Sequence, residues 1–256
     1  MTLDAEGYIN ISPPVRLQAP FQEVVDEVTN HLTLRLEHIL HSVYLYGSVA
    51  QGKAVAGVSD LDVCILLTRR ANNIETHTLS EIRKNIDLNH PIVCKIDFDV
   101  GILPEALNPD NLYSWGYWLK HHCRCIYGED LSKRFDRFKP SKAIAVAVNG
   151  DFIAVLEDYI RRLGEAGDDH QRKPLQRAAS RKLIRSTNLL RSDEDTDWPD
   201  TLDEYVSRFV KKYPSREHEI RYFLRESNAP EDEAKKFTAN LKAFMGWLTE
   251  ASGHHR

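Results

Sequence analysis

The residues best suited to chemistry stand in two short runs in the first quarter of the chain. Gly47 and Ser48 follow the apolar run 43–46, and Asp60 and Asp62 stand at the start of a second apolar run. A glycine at the end of a strand lets the backbone turn sharply and approach a ligand closely. If a helix begins there, its free N–H groups and the Ser48 hydroxyl form a cradle for phosphate oxygens.

The two aspartates add a second chemical feature. Residues two apart on a strand point to the same face, so Asp60 and Asp62 are expected to lie side by side. Neighbouring carboxylates repel each other unless a cation lies between them. Their oxygen atoms suit Mg²⁺, which commonly also binds substrate phosphates. A phosphate cradle beside a carboxylate pair predicts phosphoryl or nucleotidyl transfer from a nucleoside triphosphate.

The alternative is that Asp60 and Asp62 are solvated residues at a sheet edge and that Gly47-Ser48 is only a turn. The residues that follow Asp62 are almost wholly apolar, as in a buried strand. Acidic residues are avoided in such strands unless they have a role. The context therefore favours the site.

Gly47-Ser48, a loop containing Gly52, and Asp60-Leu61-Asp62 together resemble the signature of the DNA polymerase beta-like nucleotidyltransferase superfamily. The resemblance covers residues 20–130 and implies two Mg²⁺ ions bound by the aspartates and a third acid. It implies ATP as the co-substrate and AMP as the group transferred to a hydroxyl. The residues expected to contact the triphosphate in this part of the chain are Gly47, Ser48, Ser59 and Lys53.

In this superfamily the third acid lies on a later strand between hydrophobic residues, a setting that the run 95–100 matches. Asp97 and Asp99 both fit it. Asp97 is preferred as the catalytic and metal-binding acid because it is expected to lie deeper in the strand, and Asp99 remains the alternative. Many small members carry arginines at the positions of Val49 and Gln51, so part of the triphosphate charge is expected to be met elsewhere.

Hydrophobic periodicity divides the chain into two unlike halves. The first half predicts helices over 20–40, 75–88 and 108–122, and strands over 43–46, 60–67 and 92–100. The second half predicts amphipathic helices over 143–162, 175–190, 201–212, 217–226 and 231–250. The expected fold is α+β: a nucleotidyltransferase domain over 1–140, with a small mixed sheet flanked by helices, and a C-terminal α-helical bundle over 141–256.

The helix predicted over 175–190 carries a cationic stripe of Arg177, Arg181 and Arg185, with Lys182 beside it. Spacings of four residues place such side chains on one helix face. One interpretation is a solvated face with salt bridges to neighbouring acids. The other is that the stripe faces the substrate cleft, in which case Lys182 and Arg185 bind the nucleotide.

A transferase domain followed by a helical domain is similar to the aminoglycoside nucleotidyltransferases, including the streptomycin/spectinomycin adenylyltransferase type. In those enzymes the helical domain forms one wall of the substrate cleft. The resemblance implies an aminoglycoside-like small molecule as hydroxyl acceptor. The alternatives are an antitoxin-type enzyme that AMPylates protein or RNA, and a non-catalytic nucleotide-binding module.

The composition limits the classes of partner and the compartment expected for the protein. A net charge of −4 provides no overall basic field for nucleic acid, which is therefore disfavoured as a partner. The sequence has no apolar run of membrane-spanning length and no signal-peptide pattern, so the protein is expected in the cytoplasm. The four cysteines form no CxxC pair and are expected to be free thiols.

Overall fold

The computed structural model describes residues 3–11 and 15–253. Contacts divide the chain into two compact units, one of residues 10–138 and one of residues 139–256 together with 1–9. The predicted α+β fold class is confirmed. The functional roles assigned to residues 1–140 and 141–256 stay a prediction. Within the described ranges, no helix is both long and apolar enough to cross a membrane.

Residues 10–138 contain a four-stranded mixed sheet. Its strands are β1 (Leu40–Tyr46), β2 (Leu61–Leu67), β3 (Ile96–Ile102) and β4 (Arg124–Gly128), in the order β3-β2-β1-β4. The helices are α1 (Ala19–Leu36), α2 (Gly47–Ala50), α3 (Asn73–Asn89), α4 (Leu103–Ala106) and α5 (Tyr117–His121). Strand β2 pairs parallel with β3 and antiparallel with β1, which also pairs antiparallel with β4.

One face of the sheet packs against α1 and α3. Val63 and Ile65 of β2 share an apolar core with Leu32 of α1 and Ile82 of α3, and none of the four is more than 1% exposed. Because side chains alternate along a strand, Asp62 and the residues two and four positions later point to the opposite face. There, Cys64 and Leu66 pack in a second cluster with residues of α4 and α5.

Several elements of the first half differ from the sequence prediction, which did not include strand β4. The helix predicted over 20–40 ends at Leu36, and the last apolar residues of that run begin β1. A short apolar run fits both the helical and the strand period, so pairing with β2 decides. The strand predicted from residue 92 begins at Ile96, because residues 91–94 form a turn.

The helix predicted over 108–122 is three pieces. A 3-10 turn (Pro109–Asn111) is followed by a π-helical turn (Leu112–Gly116) and then by α5. A Cβ atom on Gly116 would lie 3.0 Å from the Phe135 ring, so the π turn brings the backbone close to that ring. A π-helical turn contains an extra residue compared with an α-helical turn, and it interrupts the regular helix without ending it.

The second unit is helical. It contains α6 (Lys142–Asn149), α7 (Phe152–Glu165), α8 (Asp169–Ser186), α9 (Leu202–Lys212), α10 (Glu217–Asn228) and α11 (Ala234–Ser252). The helix predicted over 143–162 is two helices, α6 and α7, separated at Gly150-Asp151. Helix α8 begins at Asp169, before the predicted start at 175, and contains Pro174. In the core of this unit, the Phe223 ring lies edge-to-face with the rings of both Phe237 and Phe244.

The cysteines carry no disulfide, as expected. Cys64 is buried, Cys94 is exposed, and Cys123 and Cys125 are half-buried; all four are free.

Candidate functional site

Strand register places two of the predicted acids side by side. In the parallel pairing of β2 with β3, Asp62 lies opposite Asp97 and Cys64 lies opposite Asp99. Neighbouring strands lie about 4.8 Å apart, so the carboxyl groups of Asp62 and Asp97 extend from adjacent backbone positions on one sheet face. Asp60 lies just before the first residue of β2, one position outside the strand in which it was predicted.

The structural reason given for preferring Asp97 was wrong. Strand β3 begins at Ile96, so Asp97 is its second residue and Asp99 lies in its middle. The register nonetheless places Asp97 next to Asp62, whereas Asp99 accepts a hydrogen bond from the Tyr46 hydroxyl. The two acids therefore have different partners although they share a strand face.

Lys95 is a member of the cluster that the sequence analysis missed. Its Nζ atom lies 2.5 Å from Asp97 Oδ2 and 3.6 Å from Asp60 Oδ2. The spacing of two between Lys95 and Asp97 was visible in the sequence, and it indicates a common face. The contact with Asp60 depends on the pairing of segments that are far apart in the chain.

The crowding of negative charge changes the protonation of the cluster. Burial, followed by the carboxylates of Asp60 and Asp97, raises the pKa of Asp62 to about 6, while Lys95 acts in the opposite direction. Burial lowers the pKa of Lys95, but the carboxylates of Asp97, Asp60 and Asp62 outweigh it and raise that pKa overall. Burial and the bond to Asp99 raise the pKa of Tyr46.

Gly47 lies where no larger residue fits. Its φ is +71°, and a Cβ atom there would lie 2.1 Å from Asp62 Oδ2. Helix α2 begins at Gly47 and has four residues, so the predicted cradle is a single helical turn. The end of β1 therefore approaches the Asp62 carboxylate with its backbone alone.

Ser59 and Lys53 lie on the loop between α2 and β2. The Ser59 hydroxyl accepts a hydrogen bond from Val55 N at 2.9 Å, and the Ser59 carbonyl accepts one from Cys94 N at 2.9 Å. Ser59 thus closes the loop and ties it to the segment before β3. Lys53 is exposed, and its backbone N–H donates to the Ser48 carbonyl at 2.9 Å.

Lys182 and Arg185 belong to α8, in the other compact unit. The Lys182 ammonium lies 2.6 Å from Asp151 Oδ1, at the break between α6 and α7. Arg185 is exposed, and Arg177 Nη2 donates to the Asn228 carbonyl at 3.5 Å. The structure thus gives Lys182 a structural ion pair, while nucleotide binding by Lys182 and Arg185 stays a prediction.

The donor atoms of the cluster suit a hard divalent cation. Asp60, Asp62 and Asp97 offer carboxylate oxygens. Burial and then the neighbouring carboxylates raise the pKa of Asp62, and a bound cation would counter both by stabilising its ionised form. In residues 3–11 and 15–253, no three His, Cys, Asp or Glu side chains are arranged to hold one metal ion. Lys95 contacts two of these acids, so metal binding would require side-chain rearrangement.

Comparison with known proteins agrees with this geometry. Residues 33–103 match the family model described as a nucleotidyltransferase domain. No curated protein sequence matches the chain. Among the solved structures that match is spectinomycin adenyltransferase AAD(9) from Enterococcus faecialis, crystallised with ATP and spectinomycin; the TM-score is 0.62 at 16% identity, over 91% of this chain and 99% of that chain.

The matched residues 33–103 include Gly47, Ser48, Asp60, Asp62 and Asp97. The family match and the similarity of fold confirm the resemblance stated from the sequence. Residues 33–103 of the chain therefore carry a nucleotidyltransferase domain, and the chain is similar in fold to spectinomycin adenyltransferase AAD(9).

Proposed function

We propose that the protein transfers AMP from ATP to a hydroxyl group of an aminoglycoside-like small molecule and that it requires Mg²⁺. The observation that carries the proposal is the pairing of Asp62 with Asp97 beside the Gly47 turn, within a nucleotidyltransferase domain. Acids on two adjacent strands and a close backbone approach form the constellation that nucleotidyl transfer needs.

Asp60, Asp62 and Asp97 are the residues that would hold the metal. Bound there, Mg²⁺ would neutralise charge on the triphosphate and polarise the reacting oxygen atoms. Asp62 is half-buried, and its environment disfavours its ionised form in the absence of a cation. A divalent cation bound here would therefore stabilise the ionised form of Asp62, which is unfavourable in the metal-free protein.

The turn between β1 and α2 is the proposed contact for the triphosphate. The first N–H groups of a helix have no partner within that helix, so those of Gly47 and Ser48 are suited to phosphate oxygens. A side chain at position 47 would collide with Asp62, which supports a role for close backbone approach. Lys53 supplies positive charge from the adjoining loop.

Asp97 is the proposed acceptor of the proton from the attacking hydroxyl. It lies opposite Asp62, whereas Asp99 lies opposite Cys64 and is hydrogen-bonded to Tyr46. A general base must reach the hydroxyl directly or through one water, and Asp97, as part of the proposed metal site, meets that condition.

The acceptor class rests on fold similarity. A structure crystallised with ATP and spectinomycin shares the fold over 91% of this chain. A small molecule with several hydroxyl groups also agrees with the net charge of −4, which offers no basic field for RNA.

The test is incubation of the purified chain with nucleoside triphosphates labelled at the α-phosphate, Mg²⁺, and separate panels of aminoglycosides, proteins and tRNA. We expect label from ATP to appear on an aminoglycoside, and none to appear with Asp62→Asn. Asp26→Asn on α1 is the matched control, because α1 packs on the opposite face of the sheet.

Three other outcomes would each contradict a part of the proposal. Label on protein or tRNA alone would refute the small-molecule acceptor and support the antitoxin-type reaction. Absence of nucleotide binding by calorimetry would refute the catalytic proposal. Transfer that persists in chelator would refute the requirement for Mg²⁺.

A further inference from the structure

Lys95 is placed to act on the acidic cluster. Its carbonyl accepts a hydrogen bond from Leu61 N at 2.9 Å, which ties the start of β3 to the start of β2. From this anchored position its ammonium group reaches Asp97 at 2.5 Å and Asp60 at 3.6 Å. The lysine therefore contacts two of the three acids that the proposed function assigns to the metal.

The contacts are close but open to solvent. The side chains of Lys95, Asp60 and Asp97 are 53%, 36% and 42% exposed. Water screens ion pairs of this kind, so they contribute little individually and can be exchanged at low cost. An ammonium and a divalent cation need the same carboxylate oxygens, and like charges do not share them without repulsion.

We propose that Lys95 is a built-in counterion that competes with the divalent cation for Asp60 and Asp97. In the metal-free protein the ammonium group offsets repulsion within the cluster. The metal enters by displacing it, and Lys95 thereby limits the affinity of the site. This inference rests on the proposed metal site, and it assigns to Lys95 a positioning role that acts through the two acids.

Removal of the ammonium group has two consequences of opposite sign. The metal-free protein loses a cation from a crowded acidic cluster and becomes less stable. The metal no longer has to displace a competitor, and it binds more tightly. A residue that merely stabilised the fold would produce the first effect without the second, whereas a residue that held the triphosphate would leave metal binding without nucleotide unchanged.

The experiment is thermal unfolding of the nucleotide-free full-length protein, in chelator and over a MgCl₂ titration. For Lys95→Met we expect a lower melting temperature in chelator and half-saturation at a Mg²⁺ concentration about three- to tenfold lower than for the unsubstituted protein. Lys95→Arg keeps the charge and should remain close to the unsubstituted protein. Lys84→Met on α3 removes the same charge from an exposed position and should change neither quantity.

Unchanged or weaker Mg²⁺ binding by folded Lys95→Met would overturn the proposal, as would an unsubstituted protein that shows no Mg²⁺-dependent stabilisation. If Lys95→Met does not fold, Lys95→Gln is measured instead, with the same expectation. The labelling assay separates this result from the proposed function. If transfer requires Mg²⁺ but Lys95→Met has an unaltered metal affinity, only the role of Lys95 is refuted. If Lys95→Met binds Mg²⁺ more tightly but no acceptor is labelled, only the proposed reaction is refuted.

Discussion

Asp62 shows how neighbours on several elements determine the state of one carboxyl group. The Gly47 turn leaves room for its oxygen, Asp97 lies opposite it on β3, and Asp60 precedes it by two residues. Together with burial, the two acids raise its pKa to about 6. Burial and the neighbouring negative charges therefore both disfavour the ionised form of this one carboxyl group, which has measurable consequences.

The first prediction concerns pH. The pKa of Asp62 rises from 3.8 in the unfolded chain to about 6 in the folded protein, so between these values the folded state binds more protons. The contribution of Asp62 is therefore most favourable below pH 3.8 and is lost as the pH rises through 6. In chelator, Asp62→Asn should raise the melting temperature at neutral pH and flatten its pH dependence in this window.

Asp26→Asn is the control for the pH experiment, since it leaves the cluster intact. An Asp62→Asn variant with the same pH profile as the unsubstituted protein would contradict the raised pKa.

The second prediction concerns Gly47. Alanine there would force a Cβ atom to within 2.1 Å of Asp62 Oδ2 and would require a backbone with φ of +71°. We expect Gly47→Ala to cost on the order of 1–3 kcal/mol of stability and to abolish transfer, because Asp62 must move. Gly57 has a similar φ of +70°, but a Cβ atom there would have no atom within 4 Å. Gly57→Ala therefore measures the cost of the backbone conformation without the collision.

At the scale of elements, the start of α3 shows how a helix on the opposite face is secured. The Asn72 side chain accepts from Glu75 N at 2.9 Å, and the Glu75 carboxylate accepts from Asn72 N at 2.8 Å, which forms a capping box. The same carboxylate pairs with Arg69 and contacts His38 at 2.8 Å. Helix α3 supports the apolar face of the sheet whose other face carries the acids.

The third prediction tests this cap. Asn72→Ala removes the acceptor for Glu75 N and should cost about 1 kcal/mol of unfolding free energy. Asn73→Ala, the same change one residue later and inside the helix, should be close to neutral. Chemical denaturation measures both, and equal losses would show that the cap is not the stabilising feature.

At the scale of the whole molecule, the chain has two compact units with separate cores. Ile65 lies in the core of the sheet unit and Leu241 in the core of the helical unit, each 0% exposed. Because each core is formed by residues of its own unit, a cavity in one core removes contacts from that unit alone.

The fourth prediction follows from the separate cores. Ile65→Ala and Leu241→Ala should each cost about 2–5 kcal/mol in the unit that contains the substitution. We expect calorimetry to show two components, of which each variant shifts one. A single transition that both variants shift equally would mean that the units unfold as one cooperative body.

The sequence by itself predicted the reaction class and the fold class. Gly47-Ser48 and Asp60-Leu61-Asp62 carry their information in types and spacings along one stretch of chain. The alternation of strands and helices followed by amphipathic helices likewise depends on local periodicity, and it predicted the α+β fold correctly. Element boundaries were less accurate, as the helix predicted over 108–122 shows, because π and 3-10 turns depend on packing against residues elsewhere.

Only the tertiary structure decided which acid lies beside Asp62. The register of β3 against β2 pairs Asp97 with Asp62, and shifting it by two residues would have chosen Asp99 instead. The contact of Lys95 with Asp60 and the collision that excludes a side chain at Gly47 have the same origin. Each depends on the distance between two segments that are separated along the chain. Strand pairing and core packing determine such distances, and spacing in the sequence does not.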